Sequence, residues 1–283
     1  MKISVFPNYG SLNSQPVFKA FIEHLQSKNE DVQINKYDNN TDVAVIWSVL
    51  WRGRMEQNRK IWEDFKKQGK PVIVLEVGGI KRGTTWKVGL NGINRDAYFG
   101  PKGNDSSRAE KLGLKLQPWR TSGEHILICG QHDKSLQWKN MGSMADWVIK
   151  TIDTIKLHCN LPIIFRPHPR CWLPDIEREW KNVRRQEPKK IPNTYDDFDM
   201  SFKGAWATVS WSSNPGIHSI LAGVPAFTGP SSLAYEVANK DFKDINSPNL
   251  TDRQQWLNDY AHTEYTIEEI SAGIPHKHLT FKL

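Results

Sequence analysis

Apolar residues in the first third of the chain form short strand-like runs, which are separated by stretches with helical spacing. Residues 3–6, 43–47 and 71–75 are short and mostly apolar, as strands buried on both faces of a sheet are. Residues 16–28 and 55–69 instead repeat apolar positions every three or four residues, which predicts helices. The order of these segments predicts a series of β-strand and α-helix units.

The same alternation starts again after Pro118 and continues towards the end of the chain. It predicts strands over residues 125–129, 162–165, 206–210 and 223–227, and helices over residues 143–157, 212–221, 252–260 and 266–271. Strands that alternate with helices predict parallel sheets with helices on both faces. We therefore expect an α/β protein with two Rossmann-like domains, residues 1–120 and 121–283, that face a central cleft. The last helix is a candidate to pack back on the first domain.

Composition agrees with a globular protein of this size. The chain has 283 residues, of which 38% are hydrophobic and 24% charged, and this length allows two domains with full cores. No apolar run approaches the ~18 residues that a membrane span needs, and the N-terminal strand is too short for a signal peptide. Cys129, Cys159 and Cys171 lack paired spacing, so we expect reduced thiols. These features predict a soluble protein of a bacterial or phage-infected cytoplasm.

Net charge adds a preference for anionic partners. The chain carries +7 and has a pI of about 9.2, and a basic surface attracts nucleic acid, acidic polysaccharide or a nucleotide substrate. Ligands of open α/β sheets bind beyond the carboxyl ends of the strands. The residues that follow each predicted strand are therefore the candidates for chemistry.

Arg166, His168 and Arg170 follow the predicted strand over residues 162–165, with a proline on each side of the histidine. The prolines stiffen the turn and fix the position of His168. The two arginines are suited to gripping phosphate with two hydrogen bonds each. This segment predicts a phosphate-binding site.

Ser212, Ser213 and Asn214 start the helix that follows the strand over residues 206–210. Free backbone N–H groups and the positive end of the dipole make a helix start an anion site. The alternative is ordinary N-capping by Ser212 or Ser213, and a cap can also face a ligand. Gly130 and Gln131 end the first strand of the same domain, so we expect them nearby.

Glu76 follows the strand over residues 71–75 and precedes Gly78 and Gly79. A carboxylate at a strand end is a candidate general base for a hydroxyl acceptor, and the glycines allow close approach of a substrate. The alternative is a glutamate that pairs with Arg82 and orders the glycine loop.

Together these segments resemble the retaining Kdo transferases of capsular-polysaccharide synthesis and their relatives. The resemblance covers residues of about 70–230, in order. It rests on Glu76, Gly79 and Arg82, residues 86–93 and 107–114, His168-Pro169, Ser212-Ser213 and residues 223–225. It implies a GT-B glycosyltransferase that uses a nucleotide-sugar donor, with Glu76 and His168 as catalytic candidates. His168, Ser212 and Ser213 would contact the donor nucleotide.

The chain also departs from that family. It has Glu76-Val77-Gly78-Gly79 where the family often has an acidic residue followed by Asp-Gly-Phe. The donor therefore need not be a CMP-linked sugar, and the stereochemistry stays open. The acidic run over residues 196–199 follows a turn rather than a strand, unlike the metal motif of GT-A transferases. We expect no essential metal and no cofactor besides the donor.

Two acceptors compete, and DNA bearing hydroxymethylated pyrimidines, as in phages, is favoured narrowly. Trp51 and Trp86 are expected to be exposed and able to stack beside a flipped base. The cationic candidates for phosphate contacts are Arg52, Arg54, Arg59, Lys81, Arg82 and Lys87. The other acceptor is a bacterial polysaccharide or lipid-linked glycan. A different class of function is also open: nucleotide binding without transfer, or transfer of polyol phosphate. An assay of donor turnover across nucleotide sugars separates these functions from sugar transfer.

Overall fold

A computed structural model describes residues 1–194 and 197–279 of the chain. Its strands are, in chain order, β1 (Lys2–Val5), β2 (Asp31–Ile34), β3 (Val43–Trp47), β4 (Val72–Val77), β5 (Trp86–Leu90), β6 (His125–Cys129), β7 (Ile163–Arg166), β8 (Val183–Arg185), β9 (Ala205–Ser210), β10 (Ala226–Thr228) and β11 (Glu264–Tyr265). Its helices are α1 (Gln15–Ser27), α2 (Glu56–Lys67), α3 (Ser107–Lys111), α4 (Met144–Lys156), α5 (Asn214–Leu221), α6 (Gln254–Tyr260), α7 (Ile267–Ser271) and α8 (Ile274–Leu279).

These elements form two compact α/β units. The first unit combines residues 1–104 with the chain from Asp259 onward, and the second is Asp105–Asn258. The division thus falls earlier than residue 120, and the end of the chain belongs to the first unit, which includes α7 and α8. No helix of the described residues combines the length and apolarity that crossing a membrane requires.

The first unit has a six-stranded sheet in the order β11-β5-β4-β3-β1-β2. Strands β1 to β4 are parallel, as the alternation with helices predicts, whereas β5 and β11 are antiparallel to their neighbours. The sheet is thus mostly parallel, with an antiparallel edge at β5 and β11. The cause is local: β4 returns through a short loop, and antiparallel strands can be joined directly where parallel ones need a long crossover.

The core of the first unit lies between one face of this sheet and α1, α7 and α8. Alternate residues of each strand supply it, including Trp47, Leu75 and Val88, and all three are almost fully buried. Because side chains alternate along a strand, the residues between them point to the opposite face. Glu76 and Lys87 are such residues, so the charged side chains of β4 and β5 lie on the face away from this core.

The second unit has a five-stranded parallel sheet in the order β10-β9-β6-β7-β8. Helix α4 packs its apolar side on one face, and α5 contacts β9 and β10, where the hydroxyls of Thr208 and Ser219 are 2.7 Å apart. Strand β8 lies within the charge-rich stretch of residues 177–190. Its Val183 is buried while Arg184 is exposed, so this stretch is an edge strand.

Candidate functional site

The carboxyl ends of β6, β7, β9 and β10 bring four loops to one edge of the second sheet. Because these strands are parallel, the residues that follow them share that edge. Gln131 follows β6, His168 follows β7, Ser212 follows β9 and Gly229 follows β10. The loops that carry the predicted donor-binding residues thus lie along one edge of the second sheet.

A buried glutamine fixes the loop after β9. The Oε1 atom of Gln131 accepts hydrogen bonds from the backbone amide and the hydroxyl of Ser212, both at 3.0 Å. Both side chains are buried. Ser212 is therefore held by Gln131 and does not cap α5, and its position defines how the loop enters the helix.

Ser213 occupies the N-cap position of α5, but its hydroxyl does not cap the helix. Its Oγ is buried and has no hydrogen-bond partner among the described residues. In α4, by contrast, Ser143 accepts a hydrogen bond from the Asp146 amide at 3.0 Å. The sequence left open that Ser212 or Ser213 caps α5 in the ordinary way. Neither hydroxyl does so.

Three more buried hydroxyls, which find no partner in the part of the chain that the structure describes, lie at or just after the ends of β9 and β10. They belong to Ser210, Thr228 and Ser231. Ser210 and Thr228 stand opposite each other in the sheet, and both are more than nine-tenths buried. Gly216 in the first turn of α5 leaves room for the Ser210 hydroxyl, since a Cβ at position 216 would lie 2.5 Å from Ser210 Oγ. Buried hydroxyls normally have partners, so this edge is equipped with donors for a polar ligand.

Two histidines lie in the loops that follow β6 and β7. The Nδ1 atom of His168 accepts a hydrogen bond from the Arg170 amide at 3.1 Å, which fixes the ring within its own turn. The ring of His132 crosses that of His168 edge to face, with centroids 5.5 Å apart. The Gly130 amide donates to the Arg166 carbonyl at 2.9 Å and so joins the two loops. Arg170 is exposed at the end of the turn.

Arg166 is turned towards other partners. Its guanidinium donates to Gln186 Oε1 at 2.6 Å and to the Ser201 carbonyl at 2.9 Å. It lines a cavity of about 470 Å³ whose other residues include His125 and Arg184, and none of the serines around α5. The Arg166 side chain thus has partners on β8 and its flanking segments, and the placement of Arg166 at the donor phosphates stays a prediction.

In the first unit, Glu76 lies within β4 rather than beyond it, since pairing with β5 extends the strand to Val77. Its side chain is half-buried, and its Oε1 accepts from the Val77 amide at 2.7 Å. Burial raises the pKa of the Glu76 carboxyl, while hydrogen bonds from Ser48 and Val77 and the charges of Lys87 and Arg82 lower it. Ser48, which follows β3, has a φ of +65°, a conformation that is uncommon for serine.

A second carboxylate, that of Glu264 in β11, is hydrogen-bonded to the glycine loop after β4. It accepts hydrogen bonds from the amides of Gly79 at 2.7 Å and Ile80 at 2.9 Å, and from the Thr85 hydroxyl at 2.7 Å. A side chain at Gly78 would collide with Thr85 and with the Glu264 carboxylate. Gly78 therefore makes room for Glu264 and Thr85, whereas the sequence predicts that it makes room for a substrate.

The predicted acceptor residues divide into exposed and buried ones. Arg52, Arg54 and Lys81 are exposed on the segments that follow β3 and β4, and Arg82 is half-buried there. Trp86 and Lys87 are only 5% and 4% exposed. The expectation that Trp86 stacks on a base, and that Lys87 contacts a nucleic-acid backbone, is therefore wrong: both belong to the interior strand β5.

Two further aromatic and basic candidates have local partners. Trp51 is half-buried and its ring lies 6.2 Å from that of Trp62. Arg59 donates from Nε to Glu63 at 2.8 Å along α2. Both side chains therefore have a partner within the first unit.

Sequence reasoning missed four polar residues of these two sheet edges: Glu264, Lys87 as a partner of Glu76, Thr228 and Ser231. The signal for Thr228 and Ser231 was present, because the run Thr228-Gly229-Pro230-Ser231 directly follows a predicted strand. No local signal marks Glu264, since β11 has only two residues.

The acidic run over residues 196–199 is the sequence's candidate for metal ligands. Within residues 1–194 and 197–279, no group of three or more His, Cys, Asp or Glu side chains is placed to hold a metal ion. Asp196 lies outside the described residues, and Asp197 and Asp199 lie within them. Asp197 Oδ1 accepts a hydrogen bond from the backbone amide of Phe198 at 2.9 Å.

Comparison with known proteins identifies the fold. No protein-family model matches the chain, and no curated protein sequence matches it. Among solved structures it is similar to the β-Kdo 2,7-transferase of Thermosulfurimonas dismutans KpsC, with a TM-score of 0.58 and 16% identity over 98% of this chain and 99% of that chain. It is also similar to the β-Kdo 2,4-transferase of the same organism's KpsC, with a TM-score of 0.52 and 11% identity over 97% and 98% of the two chains. The chain thus has an α/β fold of GT-B type with two sheets, one wholly and one mostly parallel.

Proposed function

We propose that this protein is a glycosyltransferase that moves a sugar from a nucleotide-sugar donor to a hydroxyl acceptor. The observation that carries the proposal is the start of α5, where the N-cap hydroxyl of Ser213 is buried and makes no cap. A helix N-terminus with free donors favours an anion such as phosphate. The similar fold of two sugar transferases supports the same reading.

On this proposal the donor phosphate is bound at the α5 start. Ser213 and Asn214 donate to it, while Gln131 holds Ser212 and the loop in place. His168 approaches from the neighbouring loop, and exposed Arg170 adds positive charge. Donors fixed before the reaction stabilise the charge that develops on the leaving phosphate, without the cost of reorganisation.

Glu76 is the proposed general base. It takes the proton of the acceptor hydroxyl while the acceptor oxygen forms the bond to the anomeric carbon of the sugar. The bond from that carbon to the donor phosphate breaks, and the nucleotide leaves with the electron pair. A carboxyl whose pKa is raised by burial is a stronger base than an exposed one. In a retaining route the same carboxylate would instead stabilise the positive charge on the sugar.

DNA with hydroxymethylated pyrimidines is the acceptor to test first. Its support is the net charge of +7 and the exposed Arg52, Arg54 and Lys81 on segments that follow neighbouring strands of the first sheet. Such side chains bind phosphates and make binding sensitive to salt. A bacterial polysaccharide or lipid-linked glycan is the second acceptor, supported by the resemblance to Kdo transferases.

A panel of nucleotide sugars tests the proposal in two steps. A donor that binds the native state alone must raise the melting temperature, so the first step finds the nucleotide and sugar. The second step incubates that donor with hydroxymethylated DNA, unmodified DNA and lipid-linked glycan, and detects the added sugar by mass spectrometry. Thermal stabilisation without any turnover would favour a nucleotide-binding protein that has no transfer activity. No stabilisation by any donor would reject the donor site.

The proposed reaction needs no metal, because the helix start and cationic side chains stabilise the leaving group. We expect turnover to be unchanged in EDTA. Loss of turnover in EDTA, with recovery on adding manganese, would contradict this and return attention to the acidic run over residues 196–199.

A further inference from the structure

The first unit contains a lysine in the interior of its sheet. Lys87 lies in β5, between β4 and β11, and is only 4% exposed. A charge in such surroundings is poorly screened by water and acts strongly on nearby ionisable groups. The charge of Lys87 should therefore influence the ionisable residues opposite it in the sheet.

Two carboxylates flank Lys87 across the sheet. Glu76 of β4 stands opposite it on one side and Glu264 of β11 on the other. Side chains of directly opposed residues lie on the same face and close to each other. The three form a row across three strands, which we call the Glu76–Lys87–Glu264 row.

Other groups face this row. Ser48 and Arg82 act on Glu76 together with Lys87, and Tyr260 interacts with Glu264. None of them lies between the two carboxylates in the strand register, where only Lys87 stands. Lys87 is thus the group that links Glu76 to Glu264.

The two carboxylates are held differently. Glu264 is fully buried, and it accepts three hydrogen bonds from the loop after β4. Glu76 is half-buried and accepts the Val77 amide. Burial lowers the pKa of Lys87, and Glu264 opposes this more strongly than Glu76 does. Glu264 therefore serves to keep Lys87 charged, which leaves Lys87 to act on Glu76.

We propose that Lys87 is a positioning residue for Glu76: its ammonium, kept charged by Glu264, holds the Glu76 carboxyl ionised and able to accept a proton. The consequence for catalysis rests on the proposed function, in which Glu76 is the general base. The effect on the ionisation of Glu76 does not, because it follows from the row itself.

Carboxyl ¹³C NMR of glutamate-labelled protein measures that ionisation without any substrate. The Glu76 signal is assigned by its loss in Glu76→Gln. In Lys87→Met, which keeps the length of the side chain, we expect the pKa of Glu76 to rise by about one unit, as loss of a nearby opposite charge requires. Glu264→Gln should raise it less, and Lys87→Arg should leave it near the wild-type value. Lys19→Met, at a side chain that is 76% exposed on α1, is the control for net charge.

An unchanged pKa of Glu76 in folded Lys87→Met would overturn the proposal, as would an equal rise in Lys19→Met. If Lys87→Met fails to fold, Glu264→Gln and Lys87→Arg decide: the first must raise the pKa of Glu76, and the second must not. A rise in neither variant would also overturn the proposal.

Kinetics separate this proposal from the proposed function. With the donor that stabilises the protein most, the acid limb of the pH profile of kcat/KM should move to higher pH in Lys87→Met, in step with the NMR titration. If the NMR signal shifts as expected while wild-type protein transfers no sugar, the proposed function fails and the role of Lys87 stands. An NMR shift with an unmoved acid limb would remove Glu76 as the base.

Discussion

The sheets of the two units differ in the charge of the polar residues that lie on and beside them. In the first, the residues on one face of β4, β5 and β11 are charged: Glu76, Lys87 and Glu264 alternate in sign across the sheet. In the second, the residues around the start of α5 are uncharged hydroxyls and amides such as Ser213 and Gln131. Charged groups in a buried row set where a proton resides, whereas fixed dipoles accommodate an anion. The first sheet therefore suits the proposed role of a base, and the second suits the proposed binding of an anion.

The largest effect expected from this difference between the units is that of Glu76→Gln, which keeps the shape of the side chain and removes its charge. If Glu76 is the base, turnover falls by ~10²–10⁴-fold, while the melting temperature and donor affinity stay near those of the wild type. Turnover and melting temperature are measured on the same preparation. A stable, fully active variant would remove Glu76 from the mechanism, and exposed Asp96 and Asp105 would be tested next. Lost stability with mildly reduced turnover would favour a glutamate that only orders its loop.

On the side of the second unit, His168→Ala should weaken donor binding by about 10- to 100-fold, the loss expected for a hydrogen bond to a charged group. Calorimetric titration with the stabilising donor measures this. His158→Ala is the matched control, because His158 follows α4 at the opposite end of the strands. Equal affinities of wild type and His168→Ala would refute the assignment of His168 to the donor.

Ser213→Ala and Ser143→Ala form a pair that separates a ligand-binding N-cap from a structural one. Ser143 caps α4, so its loss should cost about 1 kcal/mol of stability and leave donor binding unchanged. Ser213 makes no cap, so its loss should barely change stability and weaken donor binding by roughly 3- to 10-fold. Denaturant unfolding and calorimetry measure the two quantities. The opposite pattern for Ser213 would return it to ordinary capping.

The smallest expected effect concerns acid stability of the first unit. His24 Nε2 and His276 Nδ1 are 3.1 Å apart and both rings are buried. Burial lowers the pKa of each from 6.5, so the unfolded chain binds protons more readily than the folded one. Stability is therefore present above pH 6.5 and is lost as pH falls below that value.

His276→Gln should flatten this pH dependence of the free energy of unfolding, which denaturant titrations between pH 5 and 8 would measure. An unchanged slope in that variant would show that the histidine pair does not control acid stability. His125 of the second unit, whose pKa burial also lowers, is the comparison variant.

The local sequence determined much of the architecture. The helical spacing of residues 16–28 and the apolar runs at residues 43–47 and 125–129 correspond closely to α1, β3 and β6, because periodicity reports which side chains must be buried. It also located His168, Ser212 and Ser213 at one sheet edge, since residues after parallel strands share that edge.

Only the tertiary structure decided what surrounds Glu76 and what Ser213 does. Glu264 reaches Gly79 across 185 positions of the chain, and no local pattern encodes a pairing over that distance. The same antiparallel pairing buries Trp86 and Lys87, which the sequence assigned to the surface. Whether a serine at a helix start caps the helix depends on the orientation of one hydroxyl, and packing against Gln131 and the neighbouring strands determines it. The periodicity of apolar residues thus specifies the helices and strands. Contacts between elements far apart in the sequence determine what surrounds the Glu76 carboxyl and whether the Ser213 hydroxyl caps its helix.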